Sequence, residues 1–403
     1  MAGQQRVKPG FWFLAVSGGM GLFIVQILVH MMGPLLVDMA EDLNVSVAVA
    51  GQLSSITAIS WFATALLAGP LSDTYGRKKM LLIGLWVATL GTLGMGFAWD
   101  FPSAVFFRIM TGFAGIISPS VSALVSDFTP IERRGKGLGI MVVGGNMAAV
   151  IGVPLITILA QLVDWRWSFF ATGIYAAAIG VYLTVFLPES KPDSTGGLNV
   201  FGRMKPLLRH PPMWDLTIVN LLVRATFMAF LTYFPAYLIV SHGISTAQTA
   251  LPMALIGVGL IVASGGGGAL ADTKFRLKVP VVGLCLAAVL GVVLFNVDVS
   301  LSVAVALGVA FCLAIYTPFP VAITIFSMLG GQRLRGAAMG MVAFSNQGGS
   351  LLGPALGGLA LGLGGYGALG VLCLGMGALG AAVAVVRLRE RRIVPVDAAM
   401  EPQ

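Results

Sequence analysis

Only 10% of the 403 residues are charged and 57% are apolar, where soluble domains carry about 25% charged residues. With a mean hydropathy of +0.94, this composition excludes a water-solvated globular fold and an acidic or basic disordered chain. The formal net charge of +8 reads as membrane topology, and no nucleic-acid partner is required.

Apolar runs of roughly 20 residues, enough to cross the hydrocarbon core, recur along the chain and predict twelve helices. Span 1 (11–38) carries Gln26 and His30 one turn apart, with Asp38 at its outer end. Span 2 (47–71) ends in Gly69-Pro70-Leu71-Ser72-Asp73-Thr74-Tyr75-Gly76-Arg77-Lys78, and span 3 covers 79–98. Span 4 (102–126) contains Arg108, Gly112 and Gly115 and closes on Asp127. Span 5 (137–162) holds Gly152 and Pro154, and span 6 covers 167–187. A hydrophilic seam at 188–212 follows, with Pro188, Pro192, Gly196 and Gly197 ahead of Arg203, Lys205 and Arg209. It predicts a cytoplasmic linker with an amphipathic piece on anionic lipid. Span 7 (213–240) carries Asn220, Arg224, Phe227 and Tyr233, and spans 8, 9 and 10 cover 247–271, 280–296 and 299–325. Span 11 (336–361) holds Asn346, Gln347, Ser350, Gly353 and Pro354, and span 12 covers 365–387.

The two halves repeat. Gly268-Ala269-Leu270-Ala271-Asp272-Thr273-Lys274-Phe275-Arg276 echoes the loop after span 2, and Arg335-Gly336 with Gly353-Pro354 echoes Arg134-Gly135 with Gly152 and Pro154. The expected organisation is an N-terminal six-helix bundle (1–187), the linker, a C-terminal six-helix bundle (213–388) and a cytoplasmic tail (389–403). Internal repeats of this kind place a substrate site between the halves. With both termini inside, 21 of the 24 Lys and Arg residues fall on the cytoplasmic side, as the positive-inside rule requires. The run after Arg6 and Lys8 continues beyond 25 residues without a small-residue cleavage pattern, so span 1 is expected to stay attached. Cys285, Cys312 and Cys373 lie scattered in apolar spans, a pattern of packing residues that suggests no metal cluster or disulfide framework.

The loop after span 2 closely resembles the signature loop of the major facilitator superfamily. Arg108 with Gly112 and Gly115, ending at Asp127, resembles that superfamily's helix 4 motif. Gly152-Val153-Pro154-Leu155, Gln161 and Asp164-Trp165-Arg166 resemble the fifth helix of bacterial drug and sugar-efflux members. The chain departs from these patterns at Thr74, where a basic residue is common, and around Val153 in the antiporter motif. The resemblance implies an all-α membrane protein of two pseudo-symmetric six-helix bundles in a bacterial inner membrane. It also implies a monomer without cofactor, working by alternating access and usually coupled to protons. It further implies that the counterpart of Arg108 influences proton release.

Read physically, Gly69, Asp73, Gly76 and Arg77, with Asp272 and Arg276 in the repeat, form a charge cluster able to latch one cytoplasmic contact in one state and release it in another. Gly152, Pro154, Gly353 and Pro354 are hinge candidates, since small residues allow close helix packing and Pro frees a carbonyl. Ionisable residues inside the bilayer are costly and mark sites; here they are His30, Arg108 and Arg224. Asn220, Arg224, Phe227, Tyr233, Gln26, His30, Asn346 and Gln347 are the substrate-binding candidates. His30, Arg108, Asp38 and Asp127 are the proton-coupling candidates. All sixteen acidic residues lie in tails, loops or helix ends, so an electropositive cavity is expected. Three readings follow: proton-coupled efflux of a small metabolite or drug, an organic-anion transporter or exchanger of counter-transported anions, and a non-transporting receptor or lipid-handling protein on the same fold. No catalytic constellation is visible.

Overall fold

A computed structural model describes residues 10–129, 131–187, 207, 209–331 and 334–389. The first crossing consists of α1 (Phe11–His30) and α2 (Met32–Asp42), which meet at Met31, whose N–H still bonds the Ile27 carbonyl at 2.9 Å. Helices α3 (Val47–Tyr75) and α4 (Arg77–Met95) are joined by Gly76 at φ 93°, a conformation that favours glycine. The next crossing runs through α5 (Phe101–Thr111), a 3₁₀ turn (Gly112–Ile116) and α6 (Ile117–Phe128). The fifth runs through α7 (Ile131–Met147), a π turn (Ala148–Gly152) and α8 (Val153–Leu162), and α9 (Trp165–Phe186) is the sixth.

Helix α10 (Pro211–His242) begins the second half, followed by a 3₁₀ turn (Ala247–Thr249) with α11 (Ala250–Ala271), and by α12 (Lys278–Asn296). Helices α13 (Leu301–Tyr316) and α14 (Pro318–Gly330) share one crossing, stepped where Pro318 removes a backbone donor. Helix α15 (Arg335–Arg387) is two helices joined at Gly364 and Gly365, the second at φ 65°. Among the described residues eleven helices are long and apolar enough to cross a bilayer, and the break in α15 makes the last of them two crossings. The predicted all-α order of twelve spans is therefore present, with ends shifted by a few residues.

Large apolar side chains such as Leu162, Ile174, Leu251 and Leu363 are exposed at 76, 62, 68 and 80%. Such an outer surface is stable only against lipid. Inside, one core gathers Leu28, Leu85, Ile117 and Phe169 from the first half, and another gathers Phe230, Phe234, Phe311 and Phe326 from the second. The fully buried rings of Phe230, Phe234 and Phe311 stack with centroids 4.4 to 4.7 Å apart.

The halves meet at the end remote from Phe11 and Arg387. Gln52 Nε2 donates to the Ala355 carbonyl at 3.3 Å, Ser55 Oγ to the Leu351 carbonyl at 3.0 Å, and Thr246 Oγ1 to Asp38 Oδ2 at 2.8 Å. Gly33 lets α2 approach the α10 backbone so closely that a Cβ there would sit 3.2 Å from the Thr232 carbonyl oxygen and 3.1 Å from Pro235. The same end is tied within the first half by Arg166, whose guanidinium pairs with Asp42 at 2.6 Å and donates to the Ala98 carbonyl at 3.0 Å. The predicted linker lies largely outside the described residues, and the tail from 390 onward lies wholly outside them.

Candidate functional site

Between the halves lies a cavity of about 530 Å³, within the range that holds small organic molecules. Gln26 on α1, Ser54, Thr57 and Trp61 on α3, Arg108 on α5, Ser118 and Ser122 on α6, and Asn146 on α7 line it from the first half. Arg224 and Met228 on α10, Tyr316 at the end of α13, Phe319 on α14, and Asn346, Gln347 and Ser350 on α15 line it from the second. Among the described residues lining it there is no Asp or Glu.

Local sequence explains how Arg108 reaches this space. Asp100 caps α5, its Oδ1 accepting from Ser103 N at 2.8 Å while Ser103 Oγ accepts from Asp100 N at 3.1 Å; this reciprocal capping fixes the helix register. About three turns later the helix tightens at Gly112–Ile116, where Gly112 and Gly115 press against α3 and Thr64 Oγ1 donates to the Gly112 carbonyl at 3.0 Å. A Cβ at Gly112 would fall 2.8 Å from the Thr57 carbonyl, so only glycine allows this approach. Arg108 is then 2% exposed, and its Nε and Nη1 have no hydrogen-bond partner among the described residues.

Arg224 is held differently. Gly349 and Gly353 lay α15 directly on α10; a Cβ on Gly349 would stand 2.6 Å from Arg224 Cβ and 2.7 Å from the Leu221 carbonyl. That proximity brings Ser350 Oγ within 3.1 Å of Arg224 Nε, which donates to it, while the guanidinium carbon lies 5.5 Å from the Phe227 ring centre. The guanidinium is thus held on one edge by Ser350 and on one face by Phe227, and Arg224 lines the cavity.

The structure brings Gln26, Arg108, Arg224, Asn346 and Gln347 together on the cavity wall. Asn220 lies behind that wall, 1% exposed, with Nδ2 donating to Ser345 Oγ at 2.7 Å and Asn346 Oδ1 at 3.0 Å, so it orients Asn346. Phe227 is buried behind Arg224 with its ring 5.1 Å from Tyr316. Tyr233 is fully buried, donating its hydroxyl to the Pro354 carbonyl at 2.9 Å, where it ties α10 to α15. His30 is buried one turn from Gln26; its Nδ1 lies 2.7 Å from the Gln26 carbonyl and its Nε2 has no partner among the described residues.

Asp38 sits on α2 in the last part of the first crossing, not among the residues lining the cavity, and against Thr246. The side chains of Asp127, Asp73 and the Gly69-Pro70 pair lie outside the described residues. Of the other latch candidates, Arg77 Nη1 donates to the Ala123 carbonyl at 3.3 Å, Arg276 Nη1 lies 3.5 Å from Met328 Sδ, and Asp272 is exposed. Gly152 closes the π turn and Pro154 opens the first turn of α8, whereas α15 runs unbroken through Gly353 and Pro354 and breaks at Gly364 and Gly365.

Trp61, Tyr316, Ser118, Ser122 and Asn146 were not among the sequence candidates. Asn146 follows Gly144-Gly145 inside an apolar span, and an amide in that setting is a readable signal. Nothing in the sequence separates the rings of Trp61 and Tyr316 from lipid-facing aromatics.

The model of the Major Facilitator Superfamily matches residues 18–324. The chain is 23% identical over 333 residues, 82% of its own length and 83% of the other's, to AraJ of Escherichia coli (strain K12), to which a transporter role is ascribed. It is 27% identical over 250 residues, 60% of this chain and 62% of the other, to NarK2 of Mycobacterium tuberculosis (strain ATCC 25618 / H37Rv), to which nitrate/nitrite transport is ascribed. Among solved structures, a bacterial homolog of the human lysosomal transporter Spinster, inward-facing and unoccupied, superposes with a TM-score of 0.75 at 17% identity, covering 97% of this chain and 95% of that one. The last likeness is one of fold.

Proposed function

Since this chain belongs to the Major Facilitator Superfamily of transporters, we propose that it carries a small organic anion across a bacterial inner membrane by alternating access. The observation that carries this reading is Arg224: a guanidinium braced by Ser350 and Phe227, facing a cavity whose described lining has no carboxylate. In a low-dielectric site an uncompensated cation favours an anionic ligand, and guanidinium recognises carboxylate, sulfonate or phosphate through paired N–H donors. The residues 1–187 and 213–388 act as two six-helix bundles that rock about the cavity. The contacts remote from the termini are the closed gate of a state open toward the cytoplasm, where both termini lie.

Thermal unfolding of the purified protein tests this. An aromatic carboxylate or sulfonate at about 100 times its dissociation constant adds about 2.7 kcal/mol of stability, so its addition raises the transition temperature, while neutral sugars and lipophilic cations leave it unchanged. Stabilisation by sugars or lipophilic cations, with none from anions, would overturn the reading.

A second reading, proton-coupled efflux, is favoured by one observation: the Nε2 of buried His30, without a partner among the described residues and one turn from Gln26 on the cavity wall. A histidine there is suited to carry a proton. Substrate flux that follows an imposed pH gradient and loses that dependence in His30→Gln supports it.

A further inference from the structure

Arg108 and Arg224 reach the cavity from opposite halves, on α5 and α10, and neither meets a carboxylate among the described lining residues. Arg224 uses Nε on Ser350 and one face on Phe227, which leaves one end of the guanidinium for a ligand. Arg108 is 2% exposed and leaves two donors, Nε and Nη1, without a partner among the described residues. A buried guanidinium in that condition carries a full desolvation penalty that an acceptor group would remove. One monoanionic group at Arg224 leaves that second cation uncompensated; two anionic groups compensate both.

The space between them sets the rest of the ligand. Trp61, Met228, Tyr316 and Phe319 present aromatic and thioether surface to a cavity of about 530 Å³, far larger than an inorganic anion needs and matched to a drug-sized body. From this geometry we infer that the substrate is an organic dianion: two separated anionic groups on an apolar or aromatic body, one group held by Arg224 and the other by Arg108. This rests on the anion reading above and adds a second anchor to it. Because the two anchors belong to different halves, such a ligand also ties the halves together, so it favours the conformation in which both guanidiniums face the same space.

Matched probes test the inference: benzoate as monoanion and phthalate, isophthalate and terephthalate as dianions, with dissociation constants measured on the whole purified protein at fixed ionic strength, with and without chloride. The wild type binds at least one dianion roughly tenfold or more tightly than benzoate, the gain expected for an added charge-assisted pair. Arg108→Gln collapses that ratio to near unity, and Arg108→Lys, which keeps the charge without the fork, retains part of it. Equal affinity for mono- and dianions in the wild type, with both lost in Arg224→Gln, overturns the second anchor while leaving the anion reading in place. Benzoate binding that requires chloride, with no gain for any dianion, also overturns it, because chloride then compensates Arg108. Failure of every anion to bind removes the anion reading itself. The wild-type ratio decides the matter even where an Arg108 variant does not fold.

Discussion

Arg224→Gln is expected to weaken organic-anion binding by roughly 100- to 1,000-fold, the effect of removing one partner of a desolvated, hydrogen-bonded charge pair. The unliganded protein is expected to hold or gain stability. The native guanidinium stands in the cavity wall with Ser350 and Phe227 as neutral neighbours and no described carboxylate beside it. Removing it therefore removes a desolvation cost and breaks no ion pair. Gln keeps a donor at the position of Nε for Ser350 and gives up the guanidinium contact with Phe227. Binding titrations with thermal unfolding of both forms check the pair of outcomes. A variant that loses binding and stability together would mark Arg224 as a structural cation.

Gly33→Val is expected to open the end of the molecule remote from the termini. Helix α2 lies on α10 there with no room for a side chain: a Cβ meets Pro235 at 3.1 Å and the Thr232 carbonyl at 3.2 Å, both on a helix that cannot yield locally. Overpacking of this kind costs about 1–3 kcal/mol, which shifts a two-state equilibrium roughly 5- to 150-fold. The cost applies only while α2 and α10 are in contact, so it acts on the closed gate and not on the state in which that gate is parted. Spin labels at Val49 and Leu251, both exposed near that end on opposite halves, are expected to report longer separations in the variant. Unchanged separations with a lowered transition temperature would mean that this contact holds the fold together without serving as a gate.

Much of this arrangement is legible from the residues. The apolar run length and the twofold repeat predict twelve crossings, because in hydrocarbon a helix satisfies its own backbone and length alone identifies it. The exceptional charges Arg108 and Arg224 point to the cavity for the same reason: a cation in a bilayer is placed where water or a ligand reaches it. What periodicity does not reveal is which side of the wall a neutral polar group occupies. Asn220 and Asn346 both read as cavity residues, yet Asn220 spends its amide on Ser345 and Asn346, because Gly349 and Gly353 draw α15 into hydrogen-bond reach of α10. Tyr233 is similarly consumed by the Pro354 carbonyl. The Pro and Gly pairs differ in their local outcome: Gly152 and Pro154 stand where a π turn meets α8, Pro354 passes without interrupting α15, and Gly364 and Gly365 turn the chain. Local sequence supplies the capacity to bend, and the packing of neighbouring helices decides where it is used.

The most direct test is counterflow in proteoliposomes, with a radiolabelled, membrane-impermeant aromatic sulfonate outside and the unlabelled compound inside. The account predicts saturable uptake that internal substrate accelerates and that Arg224→Gln abolishes. Anion uptake no greater than in protein-free liposomes, alongside protein-dependent accumulation of a neutral sugar or a lipophilic cation, would contradict it.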